Sequence, residues 1–300
     1  MPSVISSPAA ISPVATSHNV IAFQGAAGAY SDLACRTVFP EKVTLPCETF
    51  EDTFAAVRDG AARMAMIPVE NSVAGRVADI HHLLPHGGLH IIAEHYQRVE
   101  HHLLAVPGAR EEDLKTVHSH VHALSQCRNL IRALGLRAVV HVDTAGAAAD
   151  IARRGNPSEA VIASELAGQL NGLVSLRRNI EDARHNTTRF LVMTREARLP
   201  PVGEGLVVTT LVFRVRSVPA ALFKALGGFA TNGLNITKLE SYLVDGSFTA
   251  AQFYADIEGH TDDRAMRLAL EELSFFADEV RILGVYPAHP FRGVAVVGGT

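Results

Sequence analysis

Between Val20 and Met193 short apolar runs alternate with stretches of helical periodicity, and few architectures accept that order. Residues 20–23, 64–67, 103–106, 138–140 and 160–163 read as buried strands, each bounded by Gly, Pro or polar residues. Between them 49–58, 123–134, 144–153 and 164–170 read as helices. Strands separated by helices are joined by crossovers, so this part of the chain is expected to be α/β with largely parallel sheets. In such sheets ligands bind where loops leave the carboxyl ends of the strands. The loops after the apolar runs are therefore the ones to read for chemistry.

A second pattern begins after Arg195. Residues 199–205, Leu-Pro-Pro-Val-Gly-Glu-Gly, read as a linker. Beyond it 209–215 reads as a strand, 219–231 as a helix opened by Pro219, and 236–244 as a strand. Asp245-Gly246 is a tight-hairpin signal, followed by a strand over 247–257, helical periodicity over 262–277 and a closing strand over 280–286. The order βαββαβ predicts a ferredoxin-like sandwich. Its hairpin alternates, so one sheet face is expected on the helices and the other against a partner subunit.

Composition removes several classes of function. A formal net charge of -4, with no basic run, gives no general attraction to nucleic acid or anionic lipid. Cys35, Cys47 and Cys127 are spaced too widely for a disulfide framework or a zinc site, which suits a reducing cytoplasm. Residues 1–18 carry no Lys or Arg and no long apolar core, and read as a disordered extension rather than a signal peptide. No stretch approaches the ~18 to 20 apolar residues that a membrane span needs. A small molecule is the expected partner.

Four loops concentrate polar groups. Phe23 to Ser31, FQGAAGAYS, precedes a helix and reads either as an anion-favouring loop or as a structural turn. Glu70, Asn71 and Ser72 come together after the second strand, as an orientation site for a polar ligand or as a helix cap with Glu70 in water. His118, His120 and His122 recur at period two, which in a strand places three imidazoles on one face, but no carboxylate or Cys accompanies them as a metal set. The pairs His81-His82 and His101-His102 look exposed. In the same segment Ser119 can instead cap a helix, with Gln126 two turns inward on one face. Asn186-Thr187-Thr188-Arg189-Phe190 offers donors to an oxyanion or carboxylate at the mouth of a strand, or is a turn whose hydroxyls satisfy their own backbone.

Taken in order, FQGAAGAYS, IPVENSVAG, SHVHALSQC, DTAGAA and NTTRF resemble the successive motifs of the prephenate dehydratase family. The βαββαβ unit resembles the ACT domain that normally follows that catalytic region. The resemblance implies a catalytic domain over 19–197 of two α/β lobes of the periplasmic-binding-protein type. Lobe one would take 19–99 and 180–197, lobe two 100–179, with the active site between them. An ACT regulatory domain over 206–287 and a tail over 288–300 would follow.

By the same resemblance Thr188, Glu70, Asn71 and Gln126 carry catalysis, while Ser72, Ser119, Thr144, Arg189 and Phe190 meet the substrate. Thr188 is expected to hydrogen-bond the leaving hydroxyl. Glu70 would orient that set, or supply the proton if burial raises its pKa. Arg189 would bind a carboxylate or serve a structural salt bridge. An effector site is expected at Ala221, Leu222, Asn232, Gly233, Leu234, Asn235, Glu240 and Ser241, although Pro219, Tyr242 and Leu243 depart from the family pattern there. The implied activity converts prephenate to phenylpyruvate, water and carbon dioxide under phenylalanine control, in a homodimer or homotetramer, without a metal or organic cofactor. Arogenate dehydratase is the runner-up, and a non-catalytic amino-acid sensor is the reading from a different class.

Overall fold

The computed structural model describes residues 17–77, 80–216, 218–244 and 247–294. Its first lobe comprises β1 (Val20–Gln24), α1 (Tyr30–Val38), β2 (Val43–Cys47), α2 (Phe50–Arg58), β3 (Met64–Asn71), β4 (Gly75–Arg76), α3 (Ile80–Leu83) and β5 (His90–Arg98). β1 runs parallel to both β2 and β3, as helical crossovers require. Thr49 starts α2 with a capping box closed by Asp52, which satisfies two otherwise orphaned backbone donors.

The second lobe comprises β6 (His102–Ala105), β7 (Thr116–His120), α4 (Val121–Gln126), α5 (Arg128–Ala133), β8 (Arg137–His141), α6 (Thr144–Arg154), β9 (Glu159–Ala163), α7 (Glu165–Leu170) and β10 (Val174–Arg177). Its sheet order is β10-β6-β9-β7-β8. The chain then returns to the first lobe along β11 (Thr187–Thr194), antiparallel to β3 and β5. The sheets are thus mixed rather than largely parallel, because β11 enters from the other lobe and β6 pairs antiparallel with β9 and β10. The helix expected over 123–134 is two helices, since Asp182 accepts the backbone N–H groups of Arg128 and Asn129 and begins α5 afresh.

The third unit is β12 (Val207–Val215), α8 (Ala221–Thr231), β13 (Ile236–Val244), β14 (Ser247–Glu258), α9 (Arg264–Phe276) and β15 (Ala277–Pro287), followed by α10 (Phe291–Val294). This is the βαββαβ order; the hairpin signal at Asp245-Gly246 lies outside the described residues, as do residues 1–16 and 295–300 of the two expected tails. Ser17 and His18 belong to a short 3-10 turn.

The sheet face opposite α8 and α9 is not left for a partner subunit. Val208, Val212, Tyr254, Leu283 and Tyr286 share one apolar cluster with Ile67, Ile91, Leu191 and Met193 of the first lobe. Each apolar side chain so buried contributes about 1.5–3 kcal/mol, which makes the first lobe the cover the sheet needs. The premise for a dimer therefore falls, because the exposed-looking face is satisfied within the chain. β15 meets β5 at Gly284 and Ile91, joining both units into one ten-stranded sheet in the order β13-β14-β12-β15-β5-β11-β3-β1-β2, with β4 on β3. Gly284 is required there, since a Cβ would collide with the Ile91 carbonyl.

Residues 288–294 are likewise no loose tail. Arg292 donates from Nε to Glu94 Oε1 at 2.6 Å and from Nη2 to Glu94 Oε2 at 2.8 Å, and Phe291 stacks on Tyr96. Burying the Glu94 carboxylate demands such a counter-charge.

Candidate active site

β11 carries two different surfaces. Thr188 stands opposite Asn71 of β3 and Gln97 of β5, while Arg189 stands opposite Glu70 and Tyr96. Directly opposed residues project from the same face, and successive residues from opposite faces. Thr188 and Asn71 therefore share the face on which Phe190 and Val192 pack with Ala34 and Cys35 of α1. Glu70 and Arg189 share the other, toward the third unit.

On the first face a chain of side-chain hydrogen bonds crosses between the lobes. Asn71 Oδ1 accepts from the backbone N–H groups of Val73 at 3.0 Å and Ala74 at 2.8 Å. Its Nδ2 donates to Asn186 Oδ1 at 2.8 Å and to Thr188 Oγ1 at 3.0 Å. Asn186 Nδ2 in turn donates to Gln126 Oε1 at 2.9 Å. Thr188, Asn71 and Gln126 are thus brought into one network through Asn186, which is only 1% exposed and which the sequence offers as the amide of its polar cluster but not as a site residue of its own. Because Asn71 donates to Thr188 Oγ1, the Thr188 proton is not used in that bond, and among the described residues no acceptor takes it.

The other face is electrostatic. Arg189, 2% exposed, donates to Glu94 at 2.8 Å, Asp256 at 2.6 Å, Glu70 at 3.1 Å and the Tyr286 hydroxyl at 3.1 Å. Burial opposes its charge, but Asp256 with Glu94 outweighs it and raises the pKa further above its ordinary value. Arg189 is therefore a strut between β11 and the third unit, not a substrate ligand, because all three of its guanidinium nitrogens are already engaged away from Thr188. Glu70 also bonds to Lys238 of β13. Burial pushes its pKa up, yet the charge and hydrogen bond of Lys238, joined by Arg189, leave it below the usual carboxylate range. It stays ionised and cannot be the proton donor considered from sequence.

Other expected contacts are absorbed by the fold. Phe190 is core, packed with Ile21, Phe23 and Met66. Ser119 lies fully buried in β7 and donates to the Ile162 carbonyl at 2.6 Å, so the helix cap is His120 instead. Ser72 donates to the His185 carbonyl at 2.8 Å and accepts from Thr187 N at 3.0 Å, lacing β3 to the start of β11. Thr144 opens α6 behind the Asp143 cap, half-buried and with its hydroxyl unengaged among the described residues. The three histidines do not converge: His118 bonds Thr116 and His141, and α4 begins directly after His120.

In the expected effector set, Ala221 and Leu222 begin α8 and pack inward. Asn232 caps the end of α8 and reaches Glu272, Gly233 completes the turn after it, Leu234 packs on the third unit's core, and Asn235 bonds Glu258. Ser241 is exposed. Glu240 is diverted to the first lobe's Arg76 and to Lys238, because β13 presents Lys238, Glu240 and Tyr242 on one face against that lobe.

A model described as prephenate dehydratase matches residues 21–198. The chain belongs to the prephenate dehydratase family. It is 56% identical over 91% of its length to 97% of a bifunctional N-acyl-homoserine lactone acylase/prephenate dehydratase from Komagataeibacter europaeus. It is 40% identical over 89% of its length to 71% of the chloroplastic arogenate dehydratase/prephenate dehydratase 1 of Arabidopsis thaliana. Among solved structures, prephenate dehydratase from Arthrobacter aurescens in complex with L-Phe superposes with a TM-score of 0.83 at 28% identity, covering 93% of this chain and 97% of that one. As a member of the prephenate dehydratase family the protein is a lyase, of the decarboxylating dehydratase kind.

Proposed function

We propose that this protein converts prephenate to phenylpyruvate, with Thr188 as the group that meets the departing hydroxyl. In that reaction the bond from the ring to its carboxylate breaks and releases carbon dioxide. The electron pair enters the ring, which becomes aromatic and expels the C4 hydroxyl, to leave as water. The enzyme's share is to hold the carboxylate in a departing geometry and to stabilise charge growing on the leaving oxygen. The carrying observation is the Asn71 to Thr188 bond, which leaves the Thr188 proton free to be donated. A free threonine is too weak an acid to protonate the oxygen in advance, so the proton is shared with the departing oxygen as the carbon–oxygen bond breaks, and the proton that turns hydroxide into water is made good by solvent, which leaves Thr188 a neutral hydroxyl.

The third unit takes the part of an ACT domain that senses phenylalanine. Its strand β13 touches Glu70, the residue next to Asn71, and this supports a route from effector to site. A turnover assay with prephenate, with and without phenylalanine, tests activity and control together; absence of phenylpyruvate rejects the activity. Arogenate is assayed in parallel because the plant relative carries both names. Release of homoserine lactone from an N-acyl substrate is measured on the same preparation, because the bacterial relative carries that activity in its name too.

A further inference from the structure

The hydrogen-bond chain does not stop at Gln126. Gln126 Oε1 also faces His101 Nε2 at 2.9 Å, and His101 Nδ1 lies 2.8 Å from the Tyr30 hydroxyl. Its polarity is set from the other end. Backbone N–H groups only donate, so the bonds from Val73 and Ala74 decide which Asn71 side-chain atom is oxygen. Asn71 Nδ2 then requires oxygen on Asn186, whose nitrogen requires oxygen on Gln126. An oxygen opposite His101 Nε2 demands a proton on that nitrogen. In a neutral ring Nδ1 then holds the lone pair, and Tyr30 donates to it.

We propose that His101 and Tyr30 are positioning residues for the dehydration: Tyr30 holds His101 as the Nε2–H tautomer, and His101 locks Gln126, Asn186 and Asn71 so that Thr188 keeps its proton for the substrate. This rests on the reading of Thr188 given above. Tyr30, Asn71, Asn186 and Thr188 stand in the first lobe, His101 and Gln126 in the second, so the device also ties the lobes together across the site. The ring of His101 is buried, and burial lowers its pKa against the partial opposition of Gln126 and Glu181, which favours the neutral form. Glu181 meets the backbone N–H of His101 at 3.0 Å. The Tyr30 hydroxyl also donates to the Glu100 carbonyl at 2.8 Å, so its one proton is shared between that oxygen and Nδ1. A proton on Nδ1 in addition to the one on Nε2 would charge the ring, which its burial opposes.

The test compares His101→Leu, His101→Gln and Tyr30→Phe with the wild type and Thr188→Val. His101→Leu is expected to lower kcat for prephenate about 10- to 100-fold with KM little changed, the scale of a misplaced reacting group. His101→Gln, whose amide nitrogen can still donate to Gln126, is expected to recover most of that loss, and Tyr30→Phe to lose less than His101→Leu. Long-range proton–nitrogen NMR of the wild type should find the His101 proton on Nε2 and the lone pair on Nδ1. Unchanged kcat in His101→Leu beside an active wild type, or a proton on Nδ1 alone, overturns the inference while leaving the Thr188 reading in place. Where His101→Leu melts early, the split between His101→Gln and Tyr30→Phe decides. A wild type that makes no phenylpyruvate sinks the dehydratase reading and the positioning role with it, and the NMR result then judges the hydrogen-bond chain alone.

Discussion

Thr188 owes its chemistry to the direction of one hydrogen bond. Asn71 donates to its oxygen, so its proton remains for a partner. Thr188→Val keeps the side-chain shape and removes that proton. We expect kcat for prephenate to fall about 100-fold or more, the usual cost of losing a donor to developing negative charge, with the thermal midpoint nearly unchanged. Turnover close to wild type would reject the role. Asn71 and Thr188 were legible in the sequence because they flank apolar runs, and Gln126 because its motif resembles one of the family's. His101 was not, and Asn186 was legible only as one member of its cluster. Asn186 lies in a motif that reads equally as a turn, and its partner Gln126 is 60 residues away. His101 sits in a His-His pair that looks solvent-facing, whereas both it and His102 are buried at the lobe junction.

At the scale of elements, β11 and β3 work by alternation. One face of the pair holds Thr188 and Asn71, the other Arg189 and Glu70, so adjacent residues serve different ends. A motif read along the chain cannot separate them, because the face each residue occupies is set by strand pairing. Replacing Arg189 by Leu leaves Asp256 and Glu94 buried with reduced compensation from Arg292 alone. We expect a loss of about 3–5 kcal/mol in denaturant unfolding, the cost of breaking a buried pair from one side. Intact stability with a raised KM would return Arg189 to the substrate. The strand whose mouth this motif marks begins at Thr187 itself, because Thr187 to Phe190 already pair with β5 and Thr188 with β3.

For the molecule as a whole, the joint between units is a packing decision. Gly284→Val pushes β15 from β5, and we expect a loss of about 1–3 kcal/mol, as for overpacked cores, seen as a lowered thermal midpoint. A second whole-molecule property is pH dependence. Burial lowers the pKa of His81 to about 4, with Lys238 adding to the effect, and burial also lowers those of His95, His101, His102 and His118. Unfolded histidines take up protons near 6.5, the folded ones only below that, so stability present at neutral pH is lost as pH falls from 6.5 toward about 4. Asp256 and Glu70, held below ordinary carboxylate values by cations despite burial, add a further loss at still lower pH. Thermal midpoints at pH 7.5, 6 and 5 should therefore fall steadily, and a flat profile would mean the buried histidines ionise in place.

The alternation of strands and helices, the βαββαβ order and the roster of polar groups at strand exits are written in the chain's local pattern. Those follow from periodicity, glycine and proline, which act within a few residues. Folding settles the rest: Arg189 becomes a strut, Glu70 stays ionised, the third unit's open face rests on the first lobe, and residues 288–294 dock at Glu94. Each of these depends on burial and on partners distant in the chain. Such long-range contacts set dielectric, hydrogen-bond direction and charge balance, and no local pattern records them.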